Sequence, residues 1–147
     1  MIVVDASVAA KWLLVETHSE KALALVVDAS GAKQAIVAPS LLPFEVANIL
    51  RQRMIRKTLT LADADRLMVQ FLAFPVTLIL PEGLSRRALA IADTLGLQAA
   101  YDAHYLALTE RLGCDFWTDD QRLLRLVARR FPFVRWIGDY PAAGAAQ

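Results

Sequence analysis

The chain has 147 residues, 56% of them hydrophobic, and a net charge of +1 from 16 Lys and Arg against 15 Asp and Glu. That length suits one domain with a proper core, and the near-neutral balance excludes a protein that holds nucleic acid by overall charge alone. The single cysteine, Cys114, excludes an internal disulfide and a cysteine-based zinc site, and it fits a reduced, cytoplasmic setting.

Residues 2–4 (Ile-Val-Val) read as a buried strand. No basic run precedes them and Asp5 follows at once, so no signal peptide is expected. Ser7 is placed to cap a helix running to residue 14, and Ser19 one that stops before Gly31. A second strand is expected over 35–37, and Ser40 is placed to cap a long helix to residue 56. Thr60 with Asp63 three residues on forms a capping box that opens a helix over 61–73. The longest uncharged stretch, 67–81, is broken by Pro75 and is too short to span a bilayer, so no membrane association is expected. It contains the third strand, 76–80. Helices over 84–95 and 101–112 end at Gly96 and Gly113, where a helix C-terminus favours glycine. A strand at 116–117, a helix over 121–130 and a strand over 134–137 complete the pattern. The domain is expected over 1–140, with the alanine-rich tail 141–147 frayed.

Strands alternating with helices imply right-handed crossovers and a mostly parallel sheet covered by helices. Burial of such a sheet on both faces accounts for part of the apolar content, and a surface given to a partner for the rest. Sites in these folds form at the carboxyl ends of strands. Four acids fall there or on the helices leading away. Asp5 follows the first strand and Asp120 follows Phe116-Trp117-Thr118, while Glu45 and Asp102 lie early in their helices. Each alone reads equally well as a cap or a solvated first-turn acid. Converging, they would repel one another unless a cation intervenes. Oxygen-only donors suit a hard divalent ion, Mg²⁺ or Mn²⁺, that activates water and neutralises charge on a scissile phosphate.

The segments Val4-Asp5-Ala6-Ser7-Val8, Glu45-Val46-Ala47-Asn48, Tyr101-Asp102-Ala103-His104-Tyr105-Leu106-Ala107-Leu108 and Thr118-Asp119-Asp120-Gln121-Arg122-Leu123 resemble, in order and spacing, the four acidic motifs of PIN-domain ribonucleases, and in particular the VapC-type toxins of bacterial toxin–antitoxin pairs. The resemblance implies a three-layer α/β/α sandwich with about five strands. It implies divalent-metal-dependent cleavage of single-stranded or looped RNA, a homodimer, and neutralisation by a small antitoxin. Carried over residue by residue, it makes Asp5, Glu45, Asp102 and Asp120 the metal-binding and catalytic acids, with Ser7 and Thr118 supporting them. Asp119 is an outer or substitute ligand.

The cations nearest these motifs, Lys11, Arg51, Arg53 and Arg122, are candidate phosphate contacts. His104 lies two residues beyond Asp102, about 200° around the helix, which argues against a shared ion. His18 is expected at the surface, Trp12 and Trp136 in the core or an interface, and Asp28 on a helix surface. A phosphoaspartyl hydrolase is disfavoured by Ser7, where a second aspartate is needed. A receiver domain is disfavoured because no lysine follows Lys57. The remaining alternative is a catalytically silent module of the same fold that only docks RNA or an antitoxin.

Overall fold

The computed structural model describes residues 1–141, so most of the tail expected to fray, 142–147, lies outside the described residues. Five parallel strands, β1 (Ile2–Val4), β2 (Ile36–Pro39), β3 (Val76–Ile79), β4 (Asp115–Thr118) and β5 (Val134–Trp136), form one sheet in the order β3-β2-β1-β4-β5. Seven helices connect them: α1 (Ala6–Ala9), α2 (Ser19–Gly31), α3 (Leu42–Ile55), α4 (Leu61–Leu72), α5 (Leu84–Leu95), α6 (Tyr101–Leu112) and α7 (Gln121–Val127). Right-handed connections along this strand order put α1 to α4 on one face and α5 to α7 on the other, which yields the expected three layers.

The strand order reverses between β1 and β4. Two connections that leave a sheet in opposite directions open a crevice at that point. Pairing of Val3 with Phe116 and Val4 with Trp117 brings Asp5 and Thr118 to the same end of the sheet. The central strand β1 is fully buried, and Tyr105 and Phe116 stack beneath it with ring centroids 5.7 Å apart.

The Thr60–Asp63 capping box forms in both directions. Gly96 and Gly113 adopt φ of 66° and 63° at the ends of α5 and α6, a left-handed conformation open to glycine at no steric cost. Three expected caps are corrected. Asp5, not Ser7, caps α1, because its carboxylate reaches the Val8 N–H while Ser7 is already helical. That helix is also short and tightens into a 3₁₀ turn, Ala10–Trp12. Ser19 is the first residue of α2, preceded by a left-handed His18. Its hydroxyl staples the loop before it, donating to Leu14 O and accepting from Glu16 N. Ser40 donates its N–H to Ile79 O, extending the sheet ladder, so α3 starts two residues later and carries Pro43 in its first turn. The helix expected to reach residue 130 ends at Val127, where Phe131 N–H turns back onto Val127 O.

Candidate active site

Asp5 is the floor of the crevice and is 6% exposed. Its Oδ1 accepts from the Ser7 hydroxyl at 2.5 Å and the Val8 N–H at 3.1 Å, and its Oδ2 accepts from the Thr118 hydroxyl. Thr118, fully buried at the end of β4, also accepts the Asp120 N–H at 3.0 Å. The two supporting hydroxyls therefore tie the first acidic motif to the last. Burial raises the Asp5 carboxyl to about 6, against the lowering effect of those hydrogen bonds.

Glu45, in the first turn of α3, accepts from the Tyr105 hydroxyl at 2.7 Å. Desolvation raises it to about 7, Tyr105 opposes the rise, and the charges of Asp5 and Asp102 add to it. Asp102, in the first turn of α6, is raised by desolvation and then by Asp120, with Arg122 acting in the other direction. Repulsion thus links Asp5, Glu45 and Asp102, and reaches Asp120 through Asp102. Asp120 caps α7, accepting from Arg122 N–H at 2.8 Å and Leu123 N–H at 3.1 Å.

Asp119 faces elsewhere. Its Oδ2 pairs with Lys11 Nζ at 2.9 Å, and its Oδ1 accepts from His18 Nδ1 at 2.9 Å and Trp136 Nε1 at 3.0 Å. Its backbone N–H donates to Ser7 Oγ at 2.8 Å. Lys11 is buried and also meets Glu16 at 3.2 Å, which overturns the expectation of a phosphate contact, since a lysine locked between two acids has no charge to offer RNA. Arg53 is half-buried and paired with Glu16 at 2.5 Å, so it too is engaged, whereas Arg51 and Arg122 are exposed. His18 is half-buried against Asp119, not a surface group. His104 turns away as expected, bonding Ala100 O and Ser85 Oγ.

Sequence reasoning missed Tyr105, which it quoted within the third motif without giving it a role. The signal was a phenol among leucines and alanines, since a buried tyrosine hydroxyl needs a partner. It also missed Glu16, which bridges Lys11 and Arg53.

The donors fit a hard divalent cation: all are carboxylate oxygens, three are raised by burial and mutual repulsion, and the nearest lysine is committed to Asp119. Among the described residues no three acidic, His or Cys side chains stand as a ready-made ion cage, so sharing one ion requires carboxylates to turn inward.

A PIN domain family model matches residues 2–129. The chain is 35% identical over 123 residues to VapC ribonuclease Mb0985 of Mycobacterium bovis, covering 84% of this chain and 88% of that protein. Ribonuclease VapC9 of Mycobacterium tuberculosis matches to the same extent. Among solved structures, PAE2754 from Pyrobaculum aerophilum superposes with a TM-score of 0.69 at 21% identity, over 93% of this chain and 90% of that one, a likeness of fold.

Proposed function

The chain belongs to the PIN-domain family, and from that membership we propose that it is a ribonuclease acting as the toxin of a toxin–antitoxin pair. The observation that carries the reading is the 35% identity to VapC ribonucleases over 84% of this chain, and buried Asp5 at the switch point between β1 and β4, coupled by charge to Glu45 and Asp102, supports it. The substrate is single-stranded or looped RNA, in a cytoplasmic setting.

Asp5, Glu45, Asp102 and Asp120 would hold Mg²⁺ or Mn²⁺. Once bound, such an ion lowers the pKa of water and offsets charge that grows on the scissile phosphate. The protein's own part is positional. Ser7 and Thr118 fix the rotamer of Asp5 and keep it ionisable despite burial. Tyr105 holds one oxygen of Glu45 and leaves the other free to orient water. Arg122 and Arg51 are the exposed cations left to meet RNA phosphates. Asp119 braces the loop that carries Asp120 and does not ligate the ion itself.

The same acidic crevice attracts an arginine or lysine from a small antitoxin, which would cover it and compete with the cation. The protein pairs as a homodimer. Purified protein should cut single-stranded RNA with Mg²⁺ or Mn²⁺ and lose that activity to a chelator. Expression alone should arrest growth, and co-expression with the adjacent small gene product should restore it. RNA binding without cleavage under any divalent ion would favour the silent-module reading.

A further inference from the structure

A groove of about 480 Å³ opens directly beside the acidic crevice and shares Glu45 as part of its wall. Phe44 and Tyr101 line it at 76% and 64% exposure, and among the described residues neither ring has an aromatic partner. Leu41 and Ile49 supply apolar surface, and Asn48 places an amide that donates and accepts on the same rim. The two rings immediately precede Glu45 and Asp102 in sequence, so the helix starts that position those acids also fix the rings.

No basic residue lines the groove, so it does not suit a phosphate. Large exposed rings beside a site for nucleic-acid chemistry suit a base, since every base has a face to stack and bases in single strands are free to turn out. The volume lies in the range of small-ligand sites, about 300–1,000 Å³. Building on the ribonuclease reading, we propose that this groove receives one unpaired nucleobase adjacent to the scissile phosphodiester, stacked on Phe44 and Tyr101, with Asn48 meeting its edge. The requirement for unpaired RNA then arises here, because a base held in a helix cannot enter the groove. Phe44, Tyr101 and Asn48 become specificity-determining residues.

The test uses the full chain with Mn²⁺ and a short single-stranded RNA of mapped cut site. Each nucleotide flanking the cut is replaced in turn by an abasic unit or by fluorescent 2-aminopurine. For the wild type, one abasic position should lower kcat/KM on the order of tenfold, and 2-aminopurine there should be quenched on binding. Phe44→Ala with Tyr101→Ala should lose a similar factor on intact RNA and become indifferent to the abasic unit. Phe44→Tyr and Tyr101→Phe, which keep the ring faces, should retain the sensitivity to the abasic position. If the double alanine variant cuts intact RNA at the wild-type rate, the groove proposal fails and the ribonuclease stands. The same rate with loss of self-association or of antitoxin binding would assign the groove to a protein instead, which also overturns the proposal. If the wild type quenches 2-aminopurine but never cuts, the ribonuclease reading fails and the groove stands.

Discussion

Lys11 Nζ lies 2.9 Å from Asp119 Oδ2, joining the turn after α1 to the loop between β4 and α7. Both groups sit largely out of water, with side chains 7% and 19% exposed. Removing one partner of such a pair strands the other charge, at about 3–5 kcal/mol when burial is complete. Here Lys11 keeps Glu16, so Asp119→Asn or Lys11→Met should each cost about 1–3 kcal/mol. The double change should cost clearly less than the sum. Cleavage should fall mainly in kcat, with KM little altered, as the loop bearing Asp120 loosens. Additive stability losses in urea unfolding would contradict the coupling.

Asp5→Asn removes a charge whose burial outweighs its hydrogen bonds, since its carboxyl sits at about 6 in place of 3.8. Without metal, thermal unfolding at pH 7.5 should be unchanged or shifted upward. Cleavage should fall at least roughly 100-fold, about 2.7 kcal/mol of transition-state stabilisation. Asp28→Asn, on the exposed side of α2 where it accepts from Tyr140, should cut as wild type. Full activity of the Asp5 variant would remove this residue from the mechanism.

Asp5 and Glu45 titrate at about 6 and about 7 in the fold, above their ordinary 3.8 and 4.5. Between those limits the folded chain holds more protons than the unfolded one, so metal-free stability should decline as pH rises from about 4 to about 7. Cleavage needs the ionised forms and should rise over the upper part of the same interval. Its acid limb should move to lower pH as Mn²⁺ is increased, because cation and proton compete for the carboxylates. Denaturation and initial rates measured across pH 4 to 8 should therefore slope in opposite directions.

Tyr105→Phe deletes the hydroxyl that donates to Glu45 at 2.7 Å, an interaction that lowers Glu45's affinity for protons. Glu45 should then titrate higher still. Activity at pH 7 should drop several-fold and recover toward pH 8.5, with a stability loss of about 1–2 kcal/mol. A uniform loss across pH would mean that Tyr105 acts on packing alone.

Leu61, Val69 and Leu72 of α4 are each more than 60% exposed, and Leu80 beyond edge strand β3 is 64% exposed. Apolar side chains grouped in this way favour a partner, and two-fold pairing is the commonest solution. Light scattering should return a dimer at micromolar concentration, and Val69→Lys with Leu72→Glu should yield a monomer. A wild-type monomer would refute the pairing.

The parts of the fold legible in the sequence are those decided by neighbouring residues. The Thr60–Asp63 box and the glycines after α5 and α6 work within a few residues, and the strands fall within one or two residues of their expected places. Asp5 and Asp120 were legible through the order and spacing of the four motifs, since an acid just after a strand serves equally well as a helix cap, which both are. Illegible were contacts that need the whole fold. Lys11 reads as a phosphate contact until the loop after β4 arrives, His18 as a surface group until Asp119 reaches it from 101 residues away, and Tyr105 has no role until α3 meets α6. The first cap was misassigned because Asp5 serves the helix and the crevice together, a double use that local capping rules do not anticipate.

Because β1 pairs on one side with β4, its central place in the sheet is completed only after residue 115 has been synthesised. A nascent chain carries Asp5 and Glu45 long before Thr118 is made to hold Asp5, and Asp102 joins them only shortly before Thr118 and Asp120. Domains fold largely as units, and pairings between distant segments come late. Chains that stall or terminate before β4 therefore lack the pairing that supports Asp5, and the complete set of four acids belongs to finished molecules alone.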